Sequence, residues 1–301
     1  MTIFFEVVLP VLLVFLAGYL LQYWKRVDIK PISTIAIYVM TPALVFRTFY
    51  QADVNMQYLY MAIFALILLF SLIILNKLYS RISNYPTKTE SGLILSTAFM
   101  NSGNYGAPII LFAYGEAGFA FAIIFMVLQS IIMNFFGVYY AAKGLTGFRT
   151  AIKVIFTLPA TYAVILALLF KSTGVKLPNT FLLPLDIISE ATIPTVMILL
   201  GMQLAKIKWE SFEWSKISFG VMMRLIISPI IAFVITIFLP MDPLLAKVLI
   251  VLAATPSAAT MVMYSVEFNS EPKLVSSITL VSTLISIFTI TLLISLLEIL
   301  F

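Results

Sequence analysis

The residues of this chain best suited to chemistry are uncharged. The run Asn101-Ser102-Gly103-Asn104-Tyr105-Gly106-Ala107-Pro108 sets two carboxamides, a hydroxyl, a phenol, two glycines and a proline inside an otherwise apolar stretch. A second run, Ala254-Thr255-Pro256-Ser257-Ala258-Ala259-Thr260, again combines proline with small hydroxyl residues. Such groups bind by hydrogen bonding, without passing protons or electron pairs. Placed beside a helix start, whose free N–H groups carry partial positive charge, they fit reversible capture of an anion.

The remaining composition closes most other chemistries. Cysteine and histidine are both absent, so thiolate nucleophiles, imidazole bases and the usual zinc, haem or copper ligand sets have no source. A Ser-His dyad is therefore out of reach, the paired Asp arrangement of an aspartyl protease is not found, and an intramembrane enzyme is not expected. Neither a cofactor nor a metal is expected. The ionisable candidates are Asp186 and Glu190, four apart and so on one helix face, and Arg224, which could pair with Glu190. An ion pair and a role in energy coupling are both open for them. Gln129 lies midway along an apolar stretch, where it could bond substrate or a neighbouring helix.

The elements that must position these groups are membrane spans. Of 301 residues, 62% are hydrophobic and 10% charged, against roughly 45–50% and about 25% in soluble domains. A soluble globule, a disordered chain and a free nucleic-acid binder are ruled out. Ten windows are long enough to cross a bilayer: 4–23, 32–50, 57–76, 90–113, 117–140, 154–170, 180–204, 216–239, 243–265 and 274–300. The polar runs fall in the fourth and ninth. Glycine and proline there disfavour a continuous helix, and unwound backbone is tolerated at membrane depth only when buried in protein or lining a watery cavity. The fourth span is expected to break in its Asn-Gly segment, with a half-helix starting near Pro108, and the ninth at Pro256.

Charge then sets orientation. Connections after spans 1, 3, 5, 7 and 9 carry thirteen cations: Lys25, Arg26, Lys30, Lys77, Arg81, Lys88, Lys143, Arg149, Lys153, Lys206, Lys208, Lys216 and Lys273. The opposite connections carry three, Lys171, Lys176 and Lys247, while Arg47 and Arg224 lie inside spans. This bias places both termini outside the cell (plasma or inner) membrane. The opening Met1-Thr2-Ile3-Phe4-Phe5-Glu6 has no leading cation beyond the terminus, so it is expected to be the first span and not a signal peptide.

Proline spacing suggests an internal repeat. Pro10 and Pro159 are 149 apart, Pro42 and Pro194 are 152 apart, and adding 152 to Asn104 reaches Pro256. Five spans per half would make residues 1–147 and 148–301 two repeats of opposite orientation, the plan of many secondary transporters. The candidate substrate-binding residues are Asn101, Ser102, Gly103, Asn104, Tyr105, Gln129, Thr255 and Ser257, with Gly106, Pro108 and Pro256 as helix breakers. Coupling could use a proton on Glu190, Asp186 or Glu6, or a sodium ion on unwound carbonyls near Asn101 and Thr255.

The run Asn101 to Pro108, followed by Gly115-Glu116-Ala117-Gly118, resembles the fourth-helix signature of the auxin efflux carrier family, which includes bacterial organic-anion permeases and plant PIN-type auxin exporters. Val127-Leu128-Gln129-Ser130-Ile131-Ile132 is similar to its fifth-helix Gln motif, and Met223-Arg224-Leu225 with Pro229 to its eighth-helix pattern. Thr255-Pro256-Ser257, Glu267-Phe268-Asn269 and Pro272 resemble the ninth helix and its exit.

The resemblance implies an all-α polytopic membrane protein of ten helices in two inverted five-helix repeats, with broken helices 4 and 9 crossing. Helices 1, 2, 6 and 7 would form a dimerising scaffold, and helices 3–5 and 8–10 a moving transport domain. Asn101 would be the crossover Asn, Pro108 and Pro256 the crossover prolines, and Gln129 a polar support. Ser257 replaces the Gln of plant exporters, and the connection between spans 5 and 6 is short. The expected function is alternating-access transport of a small carboxylate such as malate, malonate or an auxin-like acid by a homodimer in the lipid bilayer. A sodium- or proton-coupled symporter of another organic acid, or an anion channel, is the alternative.

Overall fold

A computed structural model describes residues 3–52, 55–142, 159–174, 176–206 and 213–300. Lys143, Arg149, Lys153, Lys208 and residues 154–158 of the sixth window lie outside the described residues. Among the described residues every regular element is helical. The helices are α1 (Phe4–Lys25), α2 (Ile29–Gln51), α3 (Met56–Ile82), α4 (Thr87–Ala98), α5 (102–114), α6 (116–142), α7 (Pro159–Thr173), α8 (Asn179–Lys206), α9 (Trp214–Phe238), α10 (Pro243–Ala253), α11 (Ala259–Glu267) and α12 (Pro272–Leu300). Gly115, at φ 64° and ψ −165°, separates α5 from α6 within the helical stretch Ser102–Ala142. Seven stretches are long and apolar enough to cross a membrane: α1, α2, α3, α5 with α6, α8, α9 and α12.

Proline leaves a regular signature in these helices. π-helical turns at Phe4–Val8, Ala36–Met40, Ser102–Gly106 and Met223–Ile227 each stand just before an X-Pro step, at Pro10, Pro42, Pro108 and Pro229. Proline lacks the N–H that would bond the carbonyl four residues back, and its ring crowds that carbonyl. Widening the preceding turn lets neighbouring amides reach one residue further back, so the helix continues. This corrects the expectation for the fourth span. Pro108 lies within a helix that starts at Ser102, and the interruption is the short segment between Ala98 and Ser102, where Phe99 is extended (φ −118°, ψ 113°).

The helices form two compact units. The first comprises Met1–Val54, Gly103–Val127 and Lys153–Lys206. In it α1 crosses α8 at two glycines. A Cβ on Gly18 would lie 2.1 Å from the Ile198 carbonyl oxygen, and one on Gly201 would lie 1.9 Å from that of Phe15. The C-terminal ends of α1 and α8 share one polar cleft, lined by Gln22, Arg26, Asp28 and Lys206. Elsewhere in this unit the α2 terminus meets α7 and α8. Leu177 N donates to Tyr50 Oη (3.1 Å), Lys171 Nζ donates to the Ala52 carbonyl, and Arg47 Nε lies 2.8 Å from Asp186 Oδ1. Arg47 also reaches Glu190 at 4.0 Å. The Glu190–Arg224 pair left open by the sequence is not found among the described residues: Arg47 on α2 is the cation to which α8 presents Asp186 and Glu190.

The second unit comprises Asn55–Ser102, Leu128–Ile152 and Ile207–Phe301. At one end Tyr79 stacks on Phe219 (3.6 Å between centroids), Lys216 lies over the Tyr85 ring, and Lys88 Nζ donates to Asn269 Oδ1. At the other, Asp242 N donates to Gln57 Oε1 (2.9 Å), and Lys247 pairs with Glu298. Between these ends α4 and α10 are short and buried on nearly every side, as expected of helices enclosed by others. On the flank of the unit, Tyr264 Oη donates to Asn134 Oδ1 at the fifth π-turn, Met133–Gly137. Interhelical bonds of this kind contribute about 0.6–1.7 kcal/mol. Tyr264→Phe is therefore expected to lower the thermal midpoint of purified protein by about 2–4 °C, measured by intrinsic fluorescence.

Candidate functional site

The two interruptions meet. Between α4 and α5 the chain runs extended through Phe99, Met100 and Asn101; between α10 and α11 it does so through Pro256 and Ser257. Met100 and Ser257 form an antiparallel bridge, with Asn101 N donating to the Pro256 carbonyl (2.9 Å) and Ala258 N to the Phe99 carbonyl (3.0 Å). Each unwound segment thus satisfies backbone groups that breaking the other helix set free. Buried backbone groups left unpaired would cost several kcal/mol each in a membrane interior.

The ends of α4 and α10 leave further carbonyls without intrahelical donors. Arg224, carried on the π-turn ahead of Pro229, supplies them. Its Nη1 donates to the Thr97 carbonyl (2.7 Å), its Nε to that of Thr255 (2.9 Å), and its Nη2 to the Ala253 carbonyl and to Ser228 Oγ (2.9 Å). Ser228 Oγ in turn donates to the Ala253 carbonyl (2.8 Å). Arg224 is 0% exposed and has no carboxylate partner among the described residues. What offsets its burial is four charge-assisted bonds and the partial negative charge at two helix C-termini.

At the N-terminal ends the pattern is opposite. The first amides of α5 and α11 have no intrahelical acceptor, and Ala258, at the N-cap of α11, has no side chain able to accept from them. Asn101 precedes α5 and is 7% exposed, yet its carboxamide has no hydrogen-bond partner among the described residues. The same holds for Asn104, half-buried, and for Gln129, buried on α6. Asn55, Asn76 and Asn134 differ: each bonds backbone or side chain of its own surroundings. Ser257 Oγ is fully buried without a partner.

The candidate residues divide between the units. Asn101, Ser102, Gln129, Thr255, Pro256, Ser257 and Arg224 belong to the second, and the crossing brings together Asn101, Thr255, Pro256 and Ser257 with Arg224 behind them. Gly103, Asn104, Tyr105, Gly106 and Pro108 belong to the first. There Tyr105 is buried with its ring 5.6 Å from that of Phe15, and a Cβ on Gly103 would meet Met126 Sδ at 2.8 Å. Asp186 and Glu190, also in the first unit, take no part in the crossing. Sequence reading overlooked Asn76, whose Nδ2 donates to Thr97 Oγ1 (2.7 Å) and the Leu72 carbonyl (2.7 Å), steadying the α4 end. A lone Asn closing an apolar window was the available signal.

Comparison with known proteins decides the kind of molecule this is. The family model described as "Membrane transport protein" matches residues 3–144 and 147–294. The chain belongs to that family. It is the auxin efflux carrier type of membrane transport protein. The chain is similar to an uncharacterized transporter of Methanocaldococcus jannaschii, 28% identical over 95% of this chain and 96% of the relative. It is also similar to an uncharacterized transporter of Methanothermobacter thermautotrophicus, at 26% identity over 94% of each. This membrane transport protein is thus a multi-pass membrane protein. Its crossing holds one arginine, hydroxyls and carboxamides, and no carboxylate among the bonded groups.

Proposed function

We propose that the protein is an alternating-access carrier of small organic anions, of the size and charge of malate, malonate or an auxin-like acid. The observation that carries this is the unequal treatment of the broken helix ends. Arg224 engages the negative C-terminal ends of α4 and α10, while the positive N-terminal end of α11 has no side-chain cap. The balance favours an anion. Asn101, Ser102, Gln129, Thr255 and Ser257, all of the second unit, are the side chains that would orient a carboxylate there.

The wider reading is ten spans in two inverted repeats, with α4–α5 and α10–α11 as the fourth and ninth. Its support is that one end of the second unit gathers Lys88, Lys216 and Asn269, and the other gathers Gln57, Asp242 and Glu298, the sides that cation counting assigns to inside and outside. Both termini are accordingly placed outside the cell membrane. The α1, α2, α7 and α8 helices are the scaffold in this reading, α3–α6 and α9–α12 are the moving helices, and the scaffold dimerises. Asp186 and Glu190 serve Arg47, which leaves them a structural task and not proton coupling. Catalysis has no place in this reading.

The test is uptake of labelled mono- and dicarboxylates into liposomes holding purified protein. Loss of one uncharged donor to a charged ligand amounts to about 1.5–3 kcal/mol, so Asn101→Ala is expected to reduce uptake roughly ten- to hundredfold. A wild-type protein that moves no carboxylate, or a variant that moves it equally well, would remove the basis of this reading.

A further inference from the structure

In the first unit α1 and α8 stop at Lys25 and Lys206 around their shared polar cleft, 840 Å³ in volume. Gln22 lines this cleft and is only 6% exposed, and its Oε1 has no hydrogen-bond partner among the described residues. A buried acceptor left unpaired is costly, and a ligand with a donor removes that cost. Arg26 and Lys206 line the same cleft, both exposed, and neither has a carboxylate partner among the described residues. Asp28 is the carboxylate there, with Oδ1 already accepting from Lys30 N (3.1 Å). Arg26 ends α1 in the left-handed conformation (φ 48°, ψ 46°), where glycine is usual and a side chain is strained. We propose that the cleft binds the headgroup of an anionic, hydroxyl-bearing phospholipid such as phosphatidylglycerol, with its phosphodiester on Arg26 and Lys206 and its hydroxyls donating to Gln22 Oε1 and Asp28.

Charge and position both select this ligand. Two cations against one carboxylate leave a single positive charge, which one phosphodiester balances. The C-terminal ends of α1 and α8 add partial negative charge, which repels a bare phosphate and suits hydroxyl donors. Tyr23 and Trp24, both exposed, lie beside Gln22 at the end of a membrane-spanning helix, where aromatic rings mark the headgroup level. Basic pockets between helices at that level take lipid headgroups while the acyl chains stay in the bilayer. The proposal goes beyond the carrier reading and takes from it only the leaflet, the inner one by cation counting.

The test is lipid binding by the full chain in detergent, followed by thermal midpoint and by native mass spectrometry. Wild type is expected to melt about 4 °C or more higher with phosphatidylglycerol than with an equal amount of phosphatidylcholine; equal midpoints would overturn the proposal. Phosphatidic acid, with phosphate but no headgroup hydroxyl, is expected to bind more weakly than phosphatidylglycerol, and equal binding would refute the role given to Gln22. Glycerol 3-phosphate is expected to leave the midpoint unchanged; a rise matching that of phosphatidylglycerol would make the ligand a free phosphate ester and not a lipid. The double variant Arg26→Gly with Lys206→Gln keeps the left-handed helix end comfortable, so it is expected to fold and to bind phosphatidylglycerol about thirtyfold more weakly. Unchanged affinity in that variant would contradict the proposal. Gln22→Leu is expected to bind phosphatidylglycerol and phosphatidic acid alike, and a preserved preference would count against it. Because no carboxylate substrate enters these measurements, their failure leaves the carrier reading standing, and failure of transport leaves the lipid site standing.

Discussion

Arg224→Ala, purified in choline chloride, is expected to melt about 10 °C or more below wild type and to have lost nearly all uptake. The substitution deletes four hydrogen bonds and strands the carbonyls of Thr97 and Thr255 in a dry interior, leaving that of Ala253 with Ser228 Oγ alone. Breaking a buried charged network from one side costs about 3–5 kcal/mol, and each kcal/mol corresponds to roughly 2–4 °C for a chain of this order of size. The loss should be local in origin. Arg224 ties the ends of α4 and α10 together behind the antiparallel pairing of Met100 with Ser257, so the crossing itself should open. Hydrogen exchange is the check: amides of residues 94–98 and 250–255 should lose protection in the variant, while those of α1 and α8 should not. Equal loss across both compact units would mean that Arg224 stabilises the fold generally and not the crossing.

Gly201→Val is the second large expected effect, and it is independent of the first. A Cβ at Gly201 would sit 1.9 Å from the Phe15 carbonyl oxygen and 2.8 Å from its carbon. Those are backbone atoms of α1, which cannot swing aside as a side-chain tip could. The helices must separate, and with Gly18 making the reciprocal approach to Ile198, the whole contact is lost. Overpacking usually costs 1–3 kcal/mol and more where backbone must move, and close approach through small residues is the main source of helix association in membranes. The variant is expected to give little monodisperse protein on size exclusion, at a thermal midpoint at least about 8 °C lower. A normal elution profile and midpoint would show that α1 and α8 do not touch at these glycines.

Much of the fold is visible in the residues because the membrane reads composition directly. The apolar runs, the thirteen-to-three division of loop cations and the polar interruptions all follow from chain segments taken singly. Proline was a poorer guide. Pro108 and Pro256 look equivalent as letters, yet Pro108 is absorbed into α5 by the π-turn Ser102–Gly106, and Pro256 lies in extended chain with its carbonyl accepting from Asn101. Whether a proline breaks a helix or only widens it depends on which neighbours can take up the freed groups.

Partners of charged residues were less visible still. Glu190 and Arg224 looked matched by sign, and the nearer cation for Glu190 is Arg47. Arg224 instead binds carbonyl oxygens, which every residue carries and no residue type announces. The candidate carboxamides stood out for their cost in lipid. That Asn101, Asn104 and Gln129 lack partners while Asn76 and Asn134 have them could only emerge from geometry.

The most direct test of carriage by alternating access is counterflow. Liposomes containing the protein are loaded with a high concentration of an unlabelled carboxylate that the uptake screen identifies, then diluted into trace labelled carboxylate with no sodium gradient. A binding site that faces one side at a time exchanges internal for external substrate, so label should accumulate transiently above its outside concentration and then decay. A label that only rises to equilibrium, with no overshoot at any internal load, would contradict a carrier and indicate an open path for anions.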